Sequence, residues 1–451
     1  MSAHRKGGDQ KTTKLERIGK IAANKKDTVF NNIAHAVDLD LLRSSYQQLD
    51  RKKAVGIDGV TKTAYGINLE DNLQNLLRRI QGHAYKPQAS RIVEIPKEDG
   101  STRPLAIACF EDKLVQHAVT AILTKVYEPL FLPGSYGFRE GMNPHQALLA
   151  LTKYSYQNTN GAIVEIDLQK YFNSIPHAIL IDILREKISD KRFLKLVEKL
   201  IRSPTTVEGK AVINTIGCPQ GSIISPILSN VYLHYVIDNW FSKISKTHMK
   251  GRAELVRFAD DMVFIFQHQQ DATRFYEVLP KRLDKFGLKL HEGKSSNIPS
   301  GSKAAKVAHE KGERIPTYKF LGFTCYWGMS RNKQLWRLKF KSRSDRFTAK
   351  LNGLRNYLKE NLNQDTQKMA NKVKTVVQGW INYHAISDNH RKVSAFIHQS
   401  RHILFQWRNR KGGKRKLTWE RFDHFLQAIN FPAKFKTTSM LATCQIQAKA
   451  N

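Results

Sequence analysis

Two short, largely apolar runs, residues 255–258 and 262–266, are separated only by an alanine and an acidic pair in LVRFADDMVFIF. Each run is too short for a helix, and the break between them is too short for anything but a tight turn, so the segment reads as two paired strands with Asp260 and Asp261 at the turn. A second segment, IVEIDLQKYF, places Asp167 at the end of another apolar strand. An ionised carboxylate buried beside such strands without a partner is very costly. A divalent cation at the sheet edge removes that cost. Three carboxylates placed this way suit nucleotidyl transfer, in which two metal ions roughly 3.5–4 Å apart activate a hydroxyl and stabilise a leaving pyrophosphate. Mg²⁺ fits, with Mn²⁺ as a substitute, because it accepts carboxylate oxygens and keeps coordination positions for phosphate. An Asp-Asp turn alone reads more readily as a solvated hairpin tip; Asp167 on a second strand argues against that.

The charge balance narrows the partner. The 451 residues carry 74 Lys and Arg against 39 Asp and Glu, a net charge of +35. Such a surplus repels itself unless a polyanion is at hand, and nucleic acid is the expected partner rather than a ribosome or a membrane surface. A hydrophobic content of 41% allows a sizeable core and excludes bulk disorder. Cys109, Cys218, Cys325 and Cys444 lie far apart with no Cys-x-x-Cys pair, so neither a zinc knuckle nor a disulfide framework is indicated. The start, MSAHRKGGDQ, is polar and basic, and no apolar stretch follows that could act as a signal or cross a bilayer. A cytoplasmic, bacterial setting is expected, with no membrane partner.

Along the chain, residues 1–40 form a basic extension: a short helix lying on nucleic acid or a frayed tail. Residues 41–335 hold the main domain. NLEDNLQNLLRRIQG is helical with a Gly stop, RIVEIPKEDGSTRPLAIA is a β-hairpin turning at Asp99-Gly100, and FEDKLVQHAVTAILTKVYEPLF is a long amphipathic helix. Near residue 340 the composition shifts to Lys and Arg interleaved with Trp and Phe. Residues 340–430 are read as a helical basic domain and 431–451 as a tail.

Taken together, the motifs resemble the reverse transcriptase superfamily. RFADDMVFIF is similar to its signature hairpin, with Phe258 in place of the usual Tyr. EIDLQKYFNSIPH resembles its first-aspartate motif and GCPQGSIISPILSNVYL its Pro-Gln-Gly motif. IPKEDGSTRPLAI and EDKLVQHAV resemble its fingers, SYGFREGMNPHQAL the block that follows, FGLKLHEGKSS its lysine-bearing block, and YKFLGF its primer-grip strand. These come in family order over roughly residues 50–330. SYGFR and GWINYH most resemble the group II intron reverse transcriptase/maturase class.

The resemblance implies an α+β right-hand polymerase: helical fingers with a β-hairpin, an antiparallel palm sheet and an α-helical thumb or maturase domain. It implies that Asp167 and Asp260 ligate both metals with help from the Leu168 carbonyl, and that Asp261 is the adjacent carboxylate nearer the primer end. Phe172 matches the ring that rejects a ribose 2′-hydroxyl, making dNTPs the substrates. Lys97 and Arg103 would fold over the triphosphate, Gln220 would line the nucleotide pocket, and Lys294 would face the leaving pyrophosphate. Gly221, Phe258, Leu321, Gly322 and Trp380 match template- or primer-binding positions. The basic run that includes Arg331, Lys339, Lys341 and Arg343, with Trp336 and Phe340 between the cations, reads as a thumb groove for phosphates.

The expected activity is therefore RNA-directed DNA synthesis from dNTPs on an RNA template with a DNA or RNA primer. Binding of a structured intron or other non-coding RNA to assist splicing is expected beside it. A free-standing reverse transcriptase in phage defence or repair, a splicing-only maturase and an RNA-dependent RNA polymerase are the alternatives. Target-strand cleavage is not expected, since paired cysteines are lacking. The oligomeric state is left open.

Overall fold

Asp167 stands at the end of the central strand of the largest sheet, and the rest of the fold is arranged around it. The structure, a computed structural model, describes residues 13–96, 102–207, 210–330, 332–411 and 416–440. Lys97, the expected Asp99-Gly100 turn and Arg331 lie outside the described residues.

In chain order, β1 (Arg91–Pro96) and β2 (Thr102–Ile107) form an antiparallel hairpin with Ile95 opposite Arg103. β3 (Gly161–Ile166) carries Asp167 at its end. β4 (Thr205–Val207) and β5 (Lys210–Val212) form a second hairpin, which a bridge between Ser90 and Thr205 ties to the first. β6 (Ala253–Phe258), β7 (Asp261–Phe266) and β8 (Ser296–Ser300) join β3 in a four-stranded antiparallel sheet of order β6-β7-β3-β8. Strands β3 and β7 are interior, and other elements pack on both faces of the sheet, so their sequences read as near-continuous apolar runs. On one face Val164, Met262, Phe264 and Phe266 share a core with the helices Ser225–Leu233 and Gln269–Asp284. On the other, Ile163, Val263 and Ile265 pack with Leu148 and Leu151 of the helix Pro144–Gln157 and with Phe320 and Phe323. This is the α+β, sheet-and-helix architecture expected for a right-hand polymerase.

Several local expectations change. The helix Lys14–Asn24 is neither a tail nor a free nucleic-acid arm. Thr13 and Glu16 cap it reciprocally, and Ile18 and Ala22 are buried against the helix Phe110–Tyr127. That helix is not simply amphipathic: Leu114, Val115, Ala118, Val119, Ile122 and Leu123 are all fully buried, so it is a core helix covered on several sides. The basic run around residue 340 is not helical. β9 (Tyr318–Phe320), β10 (Phe323–Met329) and β11 (Trp336–Ser342) form a three-stranded antiparallel sheet. In WRLKFKS the cations Arg337, Lys339 and Lys341 alternate with Trp336, Leu338 and Phe340, a period of two that specifies a strand with one buried face.

The helical domain therefore begins at Ser344. Its helices Ser344–Glu360, Thr366–His384, His390–Lys411 and Trp419–Ala428 enclose a core of Leu351, Leu354, Leu358, Val373, Val377, Phe396, Leu404 and Phe422. Trp380, expected at a nucleic-acid surface, belongs to this core. It is 6% exposed and stacked between Phe396 and His384, because it falls in register with the buried Val373, Val377 and His384 of its helix. The chain after Ala428 is also no loose tail as far as residue 440. Phe431 and Met440 are buried, and the Thr438 N–H donates to the Ala385 carbonyl at 2.8 Å.

Candidate active site

The Asp-Asp turn is held from below by a buried arginine. Phe258 pairs with Asp261 across a two-residue turn whose first residue, Ala259, has φ 58, a conformation a residue with a Cβ rarely adopts. Arg257, fully buried one residue before Phe258, grips the turn. It forms a forked ion pair with Asp238 at 2.8 and 2.6 Å and donates to the Ala259 carbonyl at 3.1 Å, Asn230 Oδ1 at 3.0 Å and Ser135 Oγ at 2.8 Å. Asn230 in turn donates to the Gly137 carbonyl at 2.6 Å. The loop holding Ser135 and Gly137 runs along the edge of β6. A Cβ on Gly137 would sit 2.2 Å from the Ala259 nitrogen, so only glycine lets the loop reach the turn. Phe138 (φ 57), Lys170 (φ 43) and Leu321 (φ 48) join Ala259 as left-handed non-glycine residues in the loops at this end of the sheet.

The two aspartates of the turn have different surroundings. Asp260 has Asp167 and Arg103 as charged neighbours, and burial followed by the Asp167 charge raises its pKa. Asp167 is itself half exposed. Its N–H donates to Ser295 Oγ at 3.1 Å, its carbonyl accepts the His291 N–H at 2.9 Å, and the Lys294 ammonium stands 4.0 Å from its carboxylate. Asp261 instead accepts the Leu321 N–H at 3.0 Å. Burial pushes its carboxyl up to about 7, with Asp260 and Glu165 adding to the shift. Glu165, two residues before Asp167, is also pushed up to about 7 by burial, and it accepts the Lys319 N–H at 3.3 Å.

This donor set suits a hard divalent ion. Asp167 and Asp260 are near enough for the Asp167 charge to act on Asp260, and no side chain among the described residues donates a hydrogen bond to Asp260. Among the described residues, no three His, Cys, Asp or Glu side chains converge closely enough to hold an ion alone. Phosphate oxygens and water would have to complete the shell, which is how Mg²⁺ is usually bound. Of the three expected aspartates, Asp261 differs in directing a carboxylate oxygen to the Leu321 N–H. The buried Leu168 follows Asp167 and bridges to Leu290.

The other expected positions fall in four places. Phe172 is half-buried, edge-on to Tyr171 (5.4 Å) and Phe138 (6.5 Å), and its carbonyl accepts the Cys218 N–H at 2.7 Å. That bond links the first-aspartate motif to the Pro-Gln-Gly loop. The Gln220 carbonyl accepts the Ala106 N–H at 2.7 Å, while its side-chain Oε1 is buried without a partner. Gly221 (φ 96) lies so close to β2 that a Cβ would come within 2.9 Å of the Ala106 carbonyl oxygen; the tight approach it permits is to the fingers strand. Leu321 and Gly322 (φ 78) make the left-handed turn between β9 and β10. Lys339 and Lys341 lie on β11, Lys341 with its ammonium over the Tyr326 ring, and Arg343 pairs with Asp345 just before the helical domain.

Arg257, Asp238, Asn230, Glu165 and Tyr383 were not singled out from the sequence. Arg257 and Glu165 left a trace there, each as a charge inside an apolar strand that must find a partner. Gln116 was likewise invisible: its Oε1 accepts from the Ser222 hydroxyl and the Ile223 N–H at 3.1 and 3.0 Å, clamping the Pro-Gln-Gly loop.

Comparison with known proteins agrees with the geometry. Residues 95–325, just over half of the chain, match the family described as "Reverse transcriptase (RNA-dependent DNA polymerase)". The chain is similar to the "Putative COX1/OXI3 intron 2 protein" of Saccharomyces cerevisiae, 34% identical over 49% of this chain and 26% of that protein. It is similar to "Group II intron-encoded protein LtrA" of Lactococcus lactis subsp. cremoris, 33% identical over 49% of this chain and 37% of that protein. It is also similar to "Protein YkfC" of Escherichia coli, 33% identical over 47% of this chain and 62% of that protein. The match thus spans between about a quarter and three fifths of these relatives' lengths.

Proposed function

This chain belongs to the reverse transcriptase family, and from that premise we propose that it is an RNA-directed DNA polymerase that extends a DNA or RNA primer on an RNA template with dNTPs. The observation that carries the reading is the pairing of Asp167 with Asp260 at one end of the central sheet, flanked by Arg103 and Lys294. Reverse transcriptases use divalent metal ions. Here two Mg²⁺ held by Asp167, Asp260 and the Leu168 carbonyl would polarise the primer 3′-hydroxyl and neutralise the triphosphate. Arg103 on β2 and Lys294 beside Asp167 suit the triphosphate, and the ammonium of Lys294 would give a proton to the leaving pyrophosphate. Gln220 Oε1, buried and unpartnered, is an acceptor suited to an incoming nucleotide. Phe172 supplies the ring that would exclude a 2′-hydroxyl.

The relatives named for introns support a second role beside synthesis: binding of a structured intron RNA to assist its splicing. The net charge of +35 suits it. No helix among the described residues is long and apolar enough to cross a membrane.

Primer extension on an RNA template with dNTPs and Mg²⁺ tests the reading, with wild type set against Asp260→Ala. Long DNA from the wild type and none from the variant supports it. If neither extends while both bind structured RNA, the palm is a scaffold and the protein a splicing cofactor.

A further inference from the structure

The Leu321–Gly322 turn is held from two directions. The Leu321 N–H donates to Asp261 on β7, and the Leu321 carbonyl accepts the Tyr383 hydroxyl at 2.9 Å. Tyr383 lies near the end of the helix Thr366–His384, so the N–H and carbonyl of one residue, Leu321, tie the catalytic hairpin to the helical domain. Neither tie is loose. The Tyr383 ring lies parallel to Phe323, 11° between planes and 5.9 Å between centres, and its carbonyl meets His145 Nε2 at 2.8 Å. The turn itself is strained, with Leu321 at φ 48, and such a conformation persists only where its surroundings impose it. Its neighbour Gly322 has φ 78, a conformation in which any side chain would be strained.

We propose that Tyr383 is a positioning residue that registers the catalytic Asp-Asp hairpin to the helical domain through the Leu321 backbone and Asp261. The inference rests on the polymerase reading, in which the helical domain follows the nascent duplex. With the hydroxyl in place, the helical domain's seating is passed to the Leu321 turn and on to the end of β7. Without it, the strained turn relaxes and Asp261 loses its fixed donor, while the core around Phe323 keeps its ring.

Tyr383→Phe separates these effects because it removes the hydroxyl and keeps the stacked ring. Hydrogen exchange over residues 318–324 reads the tie directly. Loss of one hydrogen bond to a strained turn should raise exchange there about tenfold, with the helical core and the melting temperature unchanged. In primer extension, kcat should fall about five- to tenfold while KM for dNTP and primer–template affinity stay within about twofold. Unchanged exchange at 318–324 overturns the proposal whatever the activity. So does a loss of rate that follows a lowered melting temperature, because that marks a merely structural contact. An inactive wild type would instead remove the polymerase reading, and the exchange measurement would still decide whether the tie exists.

Discussion

The palm and the helical domain are built on opposite principles. The palm buries charge: Arg257 and Asp238 are almost wholly inside, Asp261 and Glu165 sit behind the metal-suited pair, and four loop residues take left-handed conformations. The helical domain fills its core with Leu, Val, Phe and Met in helical register. Its two left-handed non-glycine residues are Asp388 and Asn430, of the residue types that tolerate that conformation. Strain and buried charge are therefore concentrated around the carboxylates of the palm, and the helical domain has an apolar core instead.

The comparison can be broken where it is sharpest. Removing a metal-suited carboxylate by Asp260→Ala should cut primer extension by on the order of 10³-fold, with folding retained; substantial residual synthesis would mean that the palm pair is not the catalytic centre. Arg257→Met leaves Asp238 buried and uncompensated, and should destabilise the palm by about 3–5 kcal/mol in denaturant titration. The matching change in the helical domain, Arg401→Met, breaks a solvent-facing pair with Asp423 and should cost under about 1 kcal/mol. Equal costs would erase the distinction.

Acid probes the helical domain. Burial pushes His384 down to about 3 from its ordinary 6.5, followed by the Arg346 charge. Below pH 6.5 the unfolded chain takes up a proton that the folded chain refuses until about pH 3, so stability is lost as pH falls through that window. By pH 5 the loss is about 2 kcal/mol, and His384→Asn should flatten the slope. For substrate choice, Phe172→Ala should raise rNTP incorporation relative to dNTP on the order of tenfold; no change would make Phe172 a core aromatic only. The smallest effect is expected from Lys341→Ala, which should weaken template–primer binding evenly across sequences and lower the log–log salt slope by about 1.

Much of this was legible in the chain. The apolar runs around Asp167 and Asp260–Asp261 announce strands with carboxylates at their ends, and the alternation in WRLKFKS announces a strand once its period of two outweighs its basic composition. Trp380 was misplaced for the same reason in reverse: an aromatic among cations suggests a binding face, but its helical register with Val373, Val377 and His384 turns it inward.

Period and composition are local properties, so the sequence alone announced the paired strands, the acidic turn and a charge that suits a polyanion, while the family resemblance of its motifs implied the α+β class. What it left open was the surroundings of Asp260 and Asp261, which are adjacent and chemically alike. That was decided by what each meets in space: Asp260 faces Asp167 from a neighbouring strand, and Asp261 meets a turn 60 residues further along the chain. The Arg257 network and the tie from Tyr383 belong to the same class. A buried charge or a strained peptide is specified by partners distant in sequence, and only the packed structure brings them within hydrogen-bond reach.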